Sequence, residues 1–366
     1  MDQYILVINP GSTSTKIAVY NRNKSVMLTN VKHEQQVLAG FEKIIDQVDY
    51  RTAMIREVLN ASGYPLSSFT IVVGRGGLLR PIEGGAYRVN EEMLHDLRNP
   101  MGEHESNLGG VIAWSLAKEI NDHVLAMIVD PTCVDEMEEI AKISGMPELP
   151  RKSFLHALNQ KAIARRYAGE IGKRYDEVNV IVAHMGGGIS VGAHSGGSVI
   201  DVNNGLHGDG PMSPERSGGV PAGQLVELCF SGQYSKQEIM KKIKGKGGLS
   251  AYLGTNDALE IEKRIEHGDS YARLVYDAMA YQVAKEISGL SAVLKGAVDG
   301  ILLTGGIAYS EIIVDQITER VSHIGPVKVY PGEGEMEALA MNAWLVLTGE
   351  LEVKEYTGRE KLGIKV

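Results

Sequence analysis

The sequence predicts an α/β protein of two duplicated halves with mixed sheets. Three observations carry that reading. Short apolar runs alternate with longer segments whose apolar residues recur at helical spacing. A strand, a turn of small residues and a second strand occur near the start of the chain and return much later. The 366 residues are too many for one ordinary domain and suggest two.

Tyr4 to Ile8 reads as a strand that ends in Asn9, Pro10, Gly11, Ser12, Thr13, Ser14 and Thr15, with a second strand over Lys16 to Tyr20. Helical spacing covers Ala53 to Ala61 and Leu108 to Asn121, and Leu125 to Val129 is a strand. Pro147 to Pro150 marks a candidate boundary between the halves. A helix over Asn159 to Lys173 leads to the second copy of the pattern. There Val178 to Ala183 is apolar, His184 to Gly188 turns, Ile189 to Ala193 returns, and Ser198 to Val202 follows as a third strand. The long helix Asp269 to Leu294 precedes a strand over Val298 to Leu303, the pair Gly305 and Gly306, and a helix from Ser310. A last helix, Met336 to Leu347, could return to the first half. The expected domains are residues 1–155 with 338–366, on the acceptor side, and residues 156–337, on the nucleotide side.

Apolar residues make up 43% and charged residues 23%, a globular composition. The formal net charge of -9 argues against a general nucleic-acid binder, although a local site can still be positive. No apolar run is long enough to span a bilayer, and the opening residues have no basic segment of the signal-peptide kind. Cys133 and Cys229 are not spaced as a metal pair and read as two reduced, partly buried thiols. Together these features predict a cytoplasmic protein that binds neither membrane nor nucleic acid.

Glycine is abundant, 43 residues, and much of it clusters beside apolar runs, where backbone turns tightly or approaches a ligand. The turn Asn9 to Lys16 offers backbone N–H groups, hydroxyls and one cation to an anion, without the spacing of a P-loop. Taken alone it reads equally well as a hairpin turn. Gly186, Gly187 and Gly188 after a strand let backbone come close to a phosphate. Gly305, Gly306 and Ile307 suit an adenine or ribose lying against the chain, or simply a tight strand-to-helix joint. Two such turns in duplicated halves favour a nucleoside triphosphate.

This ordered set resembles the superfamily of sugar kinases, actin and Hsp70 ATPases, and within it the acetate and butyrate kinases. The most specific stretches are I-L-V-I-N-P-G-S-T-S-T-K from residue 5, V-G-R-G-G-L-L-R-P-I-E-G-G from 73, H-M-G-G-G-I-S-V-G-A from 184 and M-S-P-E-R-S-G-G-V-P from 212. The first and last look like butyrate kinase. The resemblance implies two actin-like, ribonuclease H-like domains with an active-site cleft between them, ATP and Mg2+ as cofactors, a short-chain carboxylate or acyl phosphate as partner substrate, and a homodimer. It implies that Asn9, Ser12, Thr13, Ser14, Lys16, His184, Gly186, Gly187, Gly188, Gly305, Gly306 and Ile307 hold the nucleotide. Arg75 and Arg216 would line the acceptor and the transferring phosphoryl, His156 would donate to that phosphoryl, and Asp130 would sit near magnesium or Arg216. Glu335 would meet magnesium, directly or through water, with Asn9 and Asp130; Glu333 and Glu337 lie beside it, and the motif leaves open which of the three glutamates meets the metal. Arg75, Gly76, Gly77 and His104 would bind the acceptor.

Physical chemistry separates the kinase types. Sugar kinases of this kind carry an aspartate in the first turn and need a base to deprotonate a hydroxyl; here the residue is Asn9. A carboxylic acid, with a pKa of roughly 4 to 5, is already a nucleophile at neutral pH and needs charge cancellation instead. Arginine forks meet that need. The sequence also departs from acetate kinases. It is shorter, it lacks their aspartate before Pro221, and it has Gly76 and Gly77 where they carry two valines. Missing side chains there predict room for extra methylenes, hence butyrate, isobutyrate or isovalerate. The rival readings are an acetate or propionate kinase and a non-metabolic ATPase of the same superfamily.

Overall fold

The computed structural model describes residues 3–100 and 102–358. Twelve strands occur among them: β1 Tyr4–Pro10, β2 Ser14–Asn21, β3 Lys24–Lys32, β4 Phe69–Arg75, β5 Ala86–Arg88, β6 Leu125–Val129, β7 Val180–Met185, β8 Ile189–Ser195, β9 Ser198–Val202, β10 Gly300–Gly305, β11 Val327–Pro331 and β12 Val353–Glu355. The chain divides into two compact units. One runs to Val134 and resumes at Gly334; the other runs from Asp135 to Glu333.

The first unit is a seven-stranded sheet in the order β12-β5-β6-β4-β1-β2-β3. β1 and β2 form an antiparallel hairpin, whereas β1 with β4 and β4 with β6 run parallel. Parallel neighbours need a crossover, usually helical. The helix Val48–Ala61 supplies one before β4 and the helix Asn107–Ile120 another before β6. β1 is buried along almost its whole length, which its unbroken apolar run from Ile5 to Ile8 dictates. Its core joins Leu6, Ile8 and Val72 to Leu108, Ile112 and Leu116 of the second helix.

The second unit repeats the plan in five strands, β11-β10-β7-β8-β9. β7, β8 and β9 form an antiparallel meander like β1, β2 and β3; β10 lies parallel to β7, and β11 parallel to β10. The helix Ser270–Val293 buries Tyr276, Met279, Val283 and Ile287 against this sheet, and the carboxylate of Asp269 caps it by accepting from the N–H of Ala272. The expected internal duplication is therefore present as strand order. Cys133 is buried, which pushes its thiol up to about 12, and Cys229 is exposed rather than partly covered. No helix among the described residues is long and apolar enough to cross a membrane.

Candidate active site

Within each unit the sheet delivers its candidate residues to one of its own edges. In the first unit, Ile8 pairs with Gly74 and Arg75 with Val129, so Asn9, Arg75 and Asp130 all leave at the carboxyl ends of neighbouring parallel strands. Three predicted residues meet there. Glu335, the first residue of the helix Glu335–Thr348, pairs with Arg75 through its Oε1 at 2.9 Å and its Oε2 at 3.2 Å. Asn9 Nδ2 donates to Glu335 Oε2 at 2.6 Å, and Arg75 reaches Asn9 Oδ1 at 3.4 Å. Of the three neighbouring glutamates, Glu335 is thus the one joined to Asn9 and Arg75.

Asp130 is buried with φ of 38°, a left-handed conformation uncommon outside glycine. It is locked reciprocally to Gly85: Oδ1 accepts the Gly85 N–H at 2.7 Å, and the Asp130 N–H donates to the Gly85 carbonyl at 3.0 Å. His104 is exposed and bonds locally, its Nδ1 lying 2.8 Å from Ser106 Oγ at the start of the helix Asn107–Ile120.

The turn after β1 has a support that sequence reading missed. Arg51 is the largest fully buried side chain among the described residues. All of its hydrogen bonds go to uncharged oxygens. It donates to the carbonyls of Gly11 at 2.8 Å, Ser12 at 3.2 Å and Ser14 at 3.3 Å, to Thr15 Oγ1 at 3.1 Å, and twice to Gln47 Oε1. Turn oxygens that would repel an anion are drawn onto one guanidinium, while Ser12, Thr13 and Lys16 stay exposed. Burial lowers the Arg51 pKa, and Glu105 opposes that at longer range. Thr15 also lies 2.8 Å from Nε2 of the buried His33, whose pKa burial, with Arg51 beside it, draws down to about 4. The available signal was an arginine on the apolar stripe of its helix, with Thr52, Ile55 and Leu59.

Gly76 and Gly77 correct an expectation. A Cβ on Gly76 would lie 2.5 Å from Pro131 Cβ, and one on Gly77 would lie 2.4 Å from Asn107 Oδ1 and 2.6 Å from its Cα. The space left by the missing side chains is filled by protein. Asn107 Oδ1 also accepts the Leu78 N–H at 2.7 Å, fixing this segment to the helix. The glycines are therefore packing residues in the described unit, and they do not open a pocket for methylenes.

In the second unit, Thr304 pairs with His184 across the parallel strands β10 and β7. The Gly186–Gly188 turn and Gly305 therefore lie at one edge. Gly305 has φ of 89°, and a Cβ there would lie 2.3 Å from the Met185 carbonyl. Gly306 faces open space, and Ile307 is buried. Arg216 packs on Gly188, where a Cβ would come within 2.1 Å of its Nη1, and it donates to the Gly205 carbonyl. Ser213 braces the same turn by donating to the Gly187 carbonyl at 2.7 Å. Desolvation lowers the Arg216 pKa, which leaves a charged but poorly hydrated guanidinium. His156 and His184 stack with ring centres 4.0 Å apart. His156 Nδ1 lies 2.9 Å from Ser190 Oγ, and His184 Nδ1 lies 2.8 Å from Asn159 Oδ1.

Two sheets of one plan, each with a turn of small residues at its carboxyl edge, define a fold of two duplicated actin-like domains. Solved structures agree. The acetate kinase of Porphyromonas gingivalis has a TM-score of 0.74 at 18% identity, over 94% of this chain and 100% of that one. A propionate kinase from Francisella tularensis gives 0.72 at 19%, over 93% and 98%. The acetate kinase of Entamoeba histolytica gives 0.74 at 15%, over 95% and 99%. The model of the acetokinase family matches residues 147–331, half of the chain. The chain belongs to the acetokinase family.

Two outcomes follow from this packing. Gly77→Val lowers thermal stability, by about 1–3 kcal/mol or more, because the segment must move off Asn107. The acid-length profile of the folded fraction stays unchanged; a stable variant with a profile shifted to shorter acids would restore the pocket reading. The second outcome concerns His33. Its folded pKa lies below the ordinary value of 6.5. Between the two values the unfolded chain binds the extra proton, so this contribution is complete above pH 6.5 and is lost as pH falls toward 4. Urea midpoints from pH 7 to pH 4.5 should fall less steeply in His33→Gln than in the parent, and equal slopes would refute the assignment.

Proposed function

We propose that this carboxylate kinase transfers the γ-phosphoryl of ATP directly to butyrate or a branched C4–C5 acid, giving an acyl phosphate and ADP. The observation that carries the acceptor class is the Asn9–Glu335–Arg75 cluster. The first turn offers a carboxamide, and both oxygens of the nearby carboxylate are already engaged by Arg75 and Asn9. Nothing in that cluster is poised to take a proton from a hydroxyl, and a carboxylate acceptor has none to give.

The turns at Asn9–Lys16 and Gly186–Gly188 would receive phosphates, and Gly305, Gly306 and Ile307 the nucleoside. Glu335 and Asn9 offer one carboxylate and one carboxamide. That set suits a magnesium ion which keeps most of its waters and is otherwise held by phosphate oxygens. When bound, magnesium neutralises phosphate charge. Arg75 would hold the acceptor carboxylate, and Arg216 and His156 would stabilise charge on the phosphoryl during in-line transfer. Asp130 would hold the Gly84–Gly85 turn beside them, with His104 at the acceptor side. A cytoplasmic homodimer, carried over from the resemblance, is part of the same proposal.

Butyrate rests on the motifs of the first turn and of the Pro214–Gly219 segment. A second reading, acetate or propionate, gains from one observation: the filled space beside Gly76 and Gly77 removes an argument against shorter acids. A hydroxamate assay with ATP, magnesium and acids from C2 to C6 decides. Acyl phosphate should require ATP and a divalent metal and form fastest with a C4 or branched C4–C5 acid. A kcat/KM for acetate at or above that for butyrate would assign the shorter acid.

Arg216→Ala should lower kcat on the order of 10³-fold while ATP still binds by calorimetry, because charge on the equatorial oxygens develops only in transfer. Arg216→Lys should recover little, since an ammonium cannot copy the planar fork. A kcat within a few-fold of the parent, in a variant with an unshifted melting curve, would remove Arg216 from the mechanism.

A further inference from the structure

His156 is the N-cap of the helix Ala157–Glu170, and its ring is tied to β8 through Ser190. The hydrogen bonds around Ser190 have one consistent direction. The Ser190 carbonyl, which can only accept, takes a bond from Gln160 Nε2 at 3.0 Å, so the amide nitrogen of Gln160 faces Ser190. That nitrogen also donates to Ser190 Oγ at 2.8 Å, and the backbone N–H of His156 donates to the same oxygen at 3.3 Å. A hydroxyl has two lone pairs and one proton. With both lone pairs taken, the proton goes to His156 Nδ1, 2.9 Å away.

The far side of Gln160 agrees. Its Oε1 accepts from His194 Nε2 at 3.0 Å, and His194 Nδ1 then accepts from the Tyr175 hydroxyl at 2.8 Å. His194 is fully buried, and desolvation draws its pKa down to about 3, so the ring is neutral as this direction requires. The donors therefore run from Tyr175 through His194, Gln160 and Ser190 into His156, and bonds aligned this way polarise one another. The stacked His184 is held in the opposite sense. The Asn159 nitrogen is committed to the Glu333 carbonyl, so Asn159 Oδ1 accepts from His184 Nδ1.

We propose that Ser190, backed by Gln160, His194 and Tyr175, is a positioning residue that holds His156 in the tautomer with its proton on Nε2. The catalytic consequence rests on reading His156 as a contact of the transferring phosphoryl. A phosphoryl offers only acceptor oxygens, so a ring with a lone pair at Nε2 would repel it, whereas an Nε2–H binds it.

The test uses full-length protein labelled with 15N-histidine. Two-bond proton–nitrogen spectra distinguish the two neutral tautomers, and the His156 signals are those lost in His156→Gln. The parent should show protonated Nε2 and bare Nδ1, and Ser190→Ala should shift the ring toward the other tautomer. In the hydroxamate assay Ser190→Ala should lower kcat roughly ten- to a hundredfold, the worth of one hydrogen bond to a charged group. KM for ATP and acid should stay within about twofold, and Ser190→Thr, which keeps the hydroxyl, should recover most of the rate. An Nδ1–H ring in the parent, or an unchanged ring in Ser190→Ala, overturns the assignment. If Ser190→Ala does not fold, the parent and Ser190→Thr spectra decide it. An altered tautomer with parental kcat overturns the catalytic consequence. Failure of every acid, with the tautomer as stated, overturns the acceptor reading and leaves the assignment standing.

Discussion

Parallel pairing of β1 with β4 and of β7 with β10 is the constraint on which everything else depends. Parallel neighbours must be joined by connections that return over the face of the sheet, so the strands paired in parallel end at the same edge. That geometry brings Asn9, Arg75 and Asp130 to one edge of the first sheet, and Met185 and Gly305 to one edge of the second. A slip of one residue would turn each side chain to the opposite face and separate Asn9 from Arg75.

On this frame the two units handle charge differently. In the first, Arg75 is matched by Glu335 and Asn9, which orient its fork. In the second, among the described residues, Arg216 hydrogen-bonds to no carboxylate and is held by backbone, through the Gly205 carbonyl and the surface of Gly188. A preformed ion pair orients; a desolvated guanidinium on a glycine turn attracts.

The buried strands were legible because they are unbroken apolar runs: β1 differs from its expected span by two residues at one end, and β7 and β10 by two at each end. Long helices were legible from apolar spacing, and in the structure Asp269 and Ser310 both accept at helix starts. β3 and β11 were not, because most of their residues are exposed and their conformation is imposed by pairing. The site divides the same way. Asn9, Arg75 and Glu335 stand out in polar or glycine settings, and they do meet. Arg51 and Ser190 lie within elements and act through neighbours far away in sequence, so composition does not mark them. Gly76 and Gly77 show a further limit. A sequence records that a side chain is missing, but not whether ligand, solvent or protein fills the place.

Arg51 has a consequence for descent. A buried cation that bonds only to uncharged oxygens is costly to keep, and an apolar residue of similar volume is often no worse for a fold. Leucines of the core would be retained by any descendant that still folds, active or not. Arg51 would be retained only while the turn it holds is in use. In a lineage that kept the architecture and abandoned the chemistry, this position should be among the first to drift, before any surface residue of the two edges gave a sign.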